Sequence, residues 1–275
     1  MAGRLILGET TPRRWAEALA RLKKTRPLVY TITNFVSAPL QAAGTAAIGA
    51  SPVMSRCPRE AGELAEAASS LVVNTGTPDD EGIRAMETAL PAGKNIVFDP
   101  VGYGASLSRR TLVDRLLPMC SPAVIKGNYG ETGMLAGGER AVRGVDSTAK
   151  APPEPSRMGA LAQKWGALVC ATGETDIFCD GLTALSVSGG SRYMGKISGG
   201  GCLLGSLMGA LIPEDTASGA VAASVLLRVA GERAERKASG PGSFIVCLLD
   251  ELAEVTPEDL AGQGERVRKI WEVNQ

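Results

Sequence analysis

Six short apolar runs, Pro27 to Ile32, Pro52 to Met54, Leu71 to Val73, Asn95 to Phe98, Ala123 to Ile125 and Leu168 to Ala171, alternate with segments of helical apolar spacing. None of the runs switches between polar and apolar residues in the way a half-exposed strand does, so each reads as a strand buried on both faces. Between them, Thr11-Pro12 opens a helix with a hydroxyl cap and a proline in the first turn, and Trp15, Ala18, Leu19 and Leu22 form its apolar stripe. Pro78-Asp79-Asp80-Glu81 opens another, with carboxylates where the helix dipole favours negative charge. Repeated strand and helix imply an α/β architecture: a mostly parallel central sheet with helices on both faces. The pattern changes after Ala171. Asp176 to Cys179 and Thr183 to Val187, separated by Asp180-Gly181-Leu182, read as a hairpin at the sheet edge. Cys202 to Leu211, Ala217 to Lys237 and Phe244 to Leu252 then read as helices that pack on the sheet. Gly144 to Arg157, with Pro152, Pro153 and Pro155, reads as a long exposed loop. At 275 residues the chain is long enough for one large domain or two, and one domain spanning 1–275 is expected.

The sequence contains no histidine. Imidazole general bases, Ser-His-Asp and Cys-His systems and histidine-based zinc sites are therefore excluded for this chain alone. Carboxylate, lysine, thiol, hydroxyl and backbone chemistry remain, and carboxylate ligands favour a hard cation such as Mg²⁺. The six cysteines, Cys57, Cys120, Cys170, Cys179, Cys202 and Cys247, form no paired CxxC pattern and sit largely in apolar runs. Reduced thiols in a cytoplasmic protein are the expectation. With 29 Lys and Arg against 29 Asp and Glu, no single-sign field points to nucleic acid. Leu5 to Leu7 is too short for a signal-peptide core, and no stretch reaches the ~20 apolar residues of a membrane span.

In open α/β sheets ligands bind beyond the carboxyl ends of the strands. Those ends here are Thr33-Asn34, Asn74 to Thr77, Asp99 to Gly102, Lys126-Gly127-Asn128 and Thr172-Gly173-Glu174, enough polar and glycine-rich ends for one mouth. Ser198-Gly199-Gly200-Gly201-Cys202 precedes an apolar helix. Its glycines admit close backbone approach and the free amides of the helix would cradle an anion, phosphate above all. The same glycines equally read as the end of a hairpin that permits tight packing. Gly190 to Lys196 matches the GxxxxGK spacing of a phosphate loop, but Ile197 stands where Ser or Thr should hold Mg²⁺. No GxGxxG joins a strand to a helix. Asp99 and Glu131 form a carboxylate pair suited to a metal in phosphoryl transfer. Lys126 adds a cation, although a lone lysine reads first as a solvated surface residue.

In chain order, ITNF (Ile32 to Phe35), GASPVM (Gly49 to Met54), NTGT (Asn74 to Thr77), DPVGYGAS (Asp99 to Ser106), KGNYGE (Lys126 to Glu131), TGETD (Thr172 to Asp176), GGGCLLGS (Gly199 to Ser206) and GPGSF (Gly240 to Phe244) closely resemble the hydroxyethylthiazole kinase family from about Trp15 to Thr256. That resemblance implies a ribokinase-like fold and a homotrimer with sites at subunit interfaces. It also implies phosphorylation of the hydroxyethyl group of 4-methyl-5-(2-hydroxyethyl)thiazole by ATP and Mg²⁺ in thiamine salvage. Residue by residue, it implies Asp99 and Glu131 around the metal, and Lys126, Asn128, Thr172 and Gly173 on the nucleotide side. It further implies an anion hole from Ser198 through Gly199, Gly200 and Gly201, Cys202 as catalytic base, and Asn34, Met54 and Gly199 against the acceptor. Lys126 replaces a typical Arg, Ser198 a typical Thr and Tyr30 a typical His, while Ser37 to Ala43 departs from an Asn-containing stretch. Two rivals stay open: a kinase of this fold acting on another small ring alcohol, and a non-catalytic ligand-binding homologue.

Overall fold

The structure, a computed structural model, describes residues 6–138, 142–143, 146–147 and 151–273. The first half alternates strictly: α1 (Pro12–Thr25), β1 (Leu28–Ile32), α2 (Ala38–Ala47), β2 (Ser51–Met54), α3 (Pro58–Ala67), β3 (Ser70–Asn74), α4 (Asp80–Ala89), β4 (Val97–Asp99), α5 (Leu107–Leu116), β5 (Val124–Asn128) and α6 (Tyr129–Leu135). A short ribbon, β6 (Val142–Arg143) and β7 (Asp146–Ser147), precedes α7 (Pro155–Trp165), β8 (Leu168–Thr172), β9 (Asp176–Cys179) and β10 (Thr183–Val187). The chain closes with α8 (Gly200–Leu211), α9 (Thr216–Lys237), α10 (Pro241–Glu254), α11 (Pro257–Ala261) and β11 (Val267–Glu272).

Local signals set the helix starts. Thr11 accepts from the Arg14 amide at 3.3 Å with Pro12 as first helical residue, and Trp15, Ala18, Leu19 and Leu22 are buried as expected. The α4 cap falls one residue inside the expected start, on Asp79, which accepts from Gly82 N at 2.8 Å. One sheet runs in the order β11-β10-β9-β8-β5-β4-β3-β1-β2, and β2, β1, β3, β4, β5 and β8 are parallel. Period two divides each strand between the two faces. Val29, Val72, Val97 and Val124 pack under α1, α8 and α9, while Tyr30, Leu71, Val73, Phe98 and Ile125 pack against α3, α4 and α5. Helix α8, apolar on all sides, is buried from Leu203 to Leu211, consistent with a helix at the centre of a layer.

Two expectations need correction. The hairpin forms over the expected residues, its turn fixed by Asp180 Oδ1 accepting from Leu182 N and Thr183 N at 2.9 and 2.7 Å, but it is not the sheet edge. Strand β11 pairs outside β10, with a register shift between Ala184 and Leu185. Arg268, Lys269 and Glu272 in this six-residue strand hid it: charged edges guard against further pairing and leave no apolar run to read. Within Gly144 to Arg157, residues 144–145 and 148–150 lie outside the described residues, Asp146–Ser147 are β7, Ala151 to Glu154 are loop, and Pro155 already begins α7.

Candidate functional site

Strand order reverses around β1: the chain passes outward to β2 and returns on the other side to β3. Ligands in such sheets sit at that switch point. There Asn34, just past β1, meets Asn74, the last residue of β3, with Asn34 Nδ2 donating to Asn74 Oδ1 at 2.9 Å. Asn74 Nδ2 in turn donates to Asp99 Oδ2 at 2.8 Å, and Lys126 Nζ donates to the same oxygen at 2.9 Å. Both amides approach the Cys202 sulfur, Asn74 Nδ2 at 3.3 Å and Asn34 Nδ2 at 3.6 Å. A carboxylate only accepts, so Asp99 fixes which end of Asn74 faces it, and Asn74 Oδ1 then faces Asn34. Behind Asn34, its Oδ1 accepts from Ser37 N and Ser37 Oγ, both at 2.9 Å. Gln41 bonds Ser37 Oγ at 2.7 Å and Thr33 Oγ1 at 2.8 Å, and accepts from Ser206 Oγ on α8 at 2.8 Å. A continuous buried polar chain therefore runs across the ends of four strands, β1, β3, β4 and β5. Gly76 belongs to it by its size: a Cβ there would lie 2.9 Å from both Asn34 Nδ2 and Asn74 Oδ1.

Helix α8 starts over this chain. Gly199, with φ of +90°, caps it, and the first intrahelical bond is Leu203 N to Gly199 O at 2.8 Å. The amides of Gly200, Gly201 and Cys202 precede that bond and have no carbonyl of the helix to serve, which makes them an anion-binding terminus. A Cβ on Gly199 would fall 2.7 Å from Ser37 Cβ, so glycine is needed for space as well as for its dihedral. Cys202 is half-buried in the first turn. Met54 ends β2, half-buried and in register with Thr31.

Lys126 is no surface lysine: it is 3% exposed and paired with Asp99, 1% exposed. Its Nζ lies beneath the glycine turn, 3.7 Å from where a Gly201 Cβ would be. Burial pushes the Asp99 carboxyl up, against the pull of Lys126 and Asn74. Burial also disfavours the Lys126 ammonium, but Asp99, Cys202 and Glu131 outweigh it and hold Lys126 above the ordinary lysine value. The pair is ionic, since a neutral Asp99 would strand a buried ammonium. Glu131 is pushed up to about 7 by burial and by Asp99. Its oxygens accept from Gly102 N at 2.6 Å and Asn128 N at 2.8 Å, the latter half of a capping box in which Asn128 accepts from Glu131 N at 2.9 Å. Asn128 and Glu131 thus build the first turn of α6. For a cation, the informative atom is Asp99 Oδ1, buried and without a hydrogen-bond partner. Among the described residues no three metal-ligating side chains cluster. One free hard oxygen beside a second carboxylate fits Mg²⁺, which keeps most of its shell as water and phosphate oxygen.

A cleft of about 760 Å³ opens beyond β8, lined among others by Thr172, Gly173, Gly190, Gly200, Gly201 and Arg228. Four sequence-derived candidates are therefore on its wall. The GxxxxGK look-alike is also there, through Gly190, Ser191, Arg192, Met194 and Gly195, but it follows an antiparallel strand and ends in a 3₁₀ turn, so it is not a phosphate loop. Sequence reasoning placed Asn74 at the mouth without giving it a role, and missed Gln41 and Arg228. For Asn74 a signal existed, a polar residue closing a buried strand; for Arg228, one cation inside a long helix gave none. Tyr30 turns away from the mouth into the opposite core, its hydroxyl donating to Ser55 O at 3.1 Å.

Residues 19–258 match the model of the "hydroxyethylthiazole kinase family". A hydroxyethylthiazole kinase from Pyrococcus furiosus is 38% identical over 260 residues, covering 92% of this chain and 96% of that one. A solved hydroxyethylthiazole kinase structure from Pyrococcus horikoshii superposes with a TM-score of 0.81 at 32% identity, covering 94% of this chain and 99% of that one. A ribokinase-like superfamily protein from Enterococcus faecalis shares the fold at 12% identity, with a TM-score of 0.59 over 90% of each chain. Among the described residues no helix is long and apolar enough to cross a membrane.

Proposed function

The chain belongs to the hydroxyethylthiazole kinase family, and on that premise we propose that it transfers the γ-phosphoryl group of ATP to the hydroxyethyl oxygen of 4-methyl-5-(2-hydroxyethyl)thiazole. One observation carries the reading to these residues: the unbroken hydrogen-bond chain from Asn34 through Asn74 to Asp99, with the Cys202 sulfur on both amides beneath the start of α8. Asn34 and Met54 hold the ring alcohol, with Gly199 against it. In the transfer the acceptor oxygen bonds to the γ-phosphorus, the bond from that phosphorus to the β,γ-bridging oxygen breaks, and ADP departs. Cys202 Sγ, as the thiolate accepting from the Asn34 and Asn74 amides, takes the hydroxyl proton and becomes the thiol. Because such transition states are loose, deprotonation comes late, so a modest base suffices and positioning supplies most of the rate. The amides of Gly200 and Gly201 and the Lys126 cation meet the charge that develops on the migrating group, and Ser198 completes that cradle. Asn128, Thr172 and Gly173 stand on the nucleotide side. Asp99 and Glu131 would hold Mg²⁺, which when bound neutralises phosphate charge.

The same reading takes residues 1–275 as one kinase domain in the cytoplasm, serving thiamine salvage as a homotrimer with sites between subunits. Phe35 and Val36, 69% and 52% exposed directly after Asn34, are apolar groups that a neighbouring copy would cover. Light scattering should give three times the 28.4 kDa chain mass.

The deciding experiment is ³¹P NMR of purified protein with Mg-ATP and the thiazole alcohol, beside a panel of other ring alcohols. Thiazole phosphate together with equimolar ADP is expected. Faster turnover of another alcohol would transfer the acceptor assignment to it, and thiazole binding without ADP formation would leave a binding protein only.

A further inference from the structure

The cleft beyond β8 is walled by two loops, residues 173–175 between β8 and β9 and residues 188–191 after β10. Neither loop is braced by regular structure of its own. Both are held by α9, through Ser224 and Arg228, which also line the cleft, and Glu232; the three recur every four residues and so share one helix face. Arg228 is 8% exposed and uses all three nitrogens of its fork. Nη2 and Nε reach Asp176 Oδ1 and Oδ2 at 2.9 and 3.3 Å. Nη1 donates to Glu174 O at 3.0 Å and to Gly189 O, and Nη2 donates to Gly173 O at 3.3 Å. One guanidinium thus ties the first wall to the second. Asp176 completes the first: Oδ1 accepts from Gly173 N at 3.2 Å and Oδ2 from Ser224 Oγ at 2.6 Å. Glu232 completes the second, accepting from Gly190 N at 2.8 Å while Arg266, beside β11, grips both its oxygens at 2.6 and 2.7 Å.

We propose that Arg228, bridging Asp176 to the carbonyls of Gly173, Glu174 and Gly189, is a positioning residue that sets the separation of the two cleft walls and thereby the affinity for the nucleoside diphosphate part of ATP. The proposal rests on the reading of this cleft as the nucleotide site. It concerns shape rather than charge. A lysine keeps the cation but is a single point donor and cannot span the three loop carbonyls and both oxygens of Asp176. Among the described residues the acceptor end shares no hydrogen bond with this hub, so it should not respond.

The test is calorimetric binding of ADP together with steady-state KM for ATP and for the thiazole, on wild type, Arg228→Lys, Ser224→Ala and Glu232→Gln. Loss of several charge-assisted bonds in Arg228→Lys should weaken ADP and raise the ATP KM about tenfold. Ser224→Ala and Glu232→Gln, which each loosen one wall, should raise them about threefold, a single hydrogen bond's worth. The thiazole KM should stay within about twofold throughout, a split that general loosening of the fold would not give. Arg228→Lys with wild-type ADP affinity overturns the bridging role. If that variant does not fold, the other two retain the Arg228–Asp176 pair and decide the matter: wild-type ADP affinity in both overturns the proposal. Wild-type protein that binds no ADP would overturn the nucleotide reading and the proposal with it, whereas ADP binding equal in wild type and variants overturns the proposal alone.

Discussion

The two ends of the mouth are built by opposite means. Between β1 and β5 the functional groups are side chains that bond one another directly, from Gln41 on α2 through Ser37, Asn34, Asn74 and Asp99 to Lys126. Beyond β8 the cleft is walled by two loops, and the side chains that matter, Asp176, Ser224 and Arg228 on its lining and Glu232 beside Gly190, act by tying loop backbone in place. A side-chain network fails locally and hard, because each buried member left alone costs its full desolvation. A loop wall tied down by several separate bonds should yield gradually.

The harshest test of that contrast is Asp99→Ala. Removing one partner of a buried ion pair strands Lys126, at a cost of about 3–5 kcal/mol, and turnover should fall roughly 10³-fold with the loss of the metal-side charge. The double variant Asp99→Ala with Lys126→Met separates the two effects: melting should recover, because a packed apolar pair replaces a broken ionic one, while phosphorylation stays lost. Recovery of turnover along with stability would mean that Asp99 serves only to neutralise Lys126. Next in size is Gly199→Ala, which combines φ of +90° with a Cβ 2.7 Å from Ser37 Cβ. It should cost about 2–3 kcal/mol and, because Ser37 holds Asn34, raise the thiazole KM more than the ATP KM.

The same contrast explains what the sequence revealed. Strands such as Leu71 to Val73 were legible because burial on both faces leaves an unbroken apolar run, and Asp99, Lys126 and Cys202 because each interrupts or ends one. Arg228 was not legible: its neighbours in α9, Leu226, Leu227 and Val229, are apolar, and nothing local marks a cation whose partners lie 39 to 55 positions away. Strand β11 stayed hidden for a related reason, since its pairing with β10 spans some eighty residues and its charged side chains face outward. Lys126 was misjudged because burial belongs to the fold and not to the residue type.

Cys202→Ala probes the join between the two ends, since the sulfur lies beside the side-chain network while its amide belongs to the helix start over the cleft. With a loose transition state, removing the base should lower kcat roughly tenfold to a hundredfold, at or below the bottom of the general-base range, with both KM values little changed. Cys202→Asp should preserve or raise kcat, because a carboxylate accepts from the same Asn34 and Asn74 amides. An alanine variant at wild-type rate would reduce the thiol to packing.

The smallest effect sharpens the boundary of the acceptor end. Tyr30 lies only four residues before Asn34, but Asn34 stands past the end of β1, while within the strand alternation sends the Tyr30 ring to the face opposite Val29, where the hydroxyl holds Ser55 O at 3.1 Å. Tyr30→Phe removes that bond alone. It should cost about 1 kcal/mol, a fall in Tm of about 2–4 °C for a chain of this size, with the thiazole KM unchanged. If the thiazole KM rose severalfold while Tm held, then Ser55, one residue past Met54, must be steering the acceptor pocket through the β2–α3 turn. The side-chain network would in that case extend through the sheet to its second face instead of ending at Gln41 and Ser206.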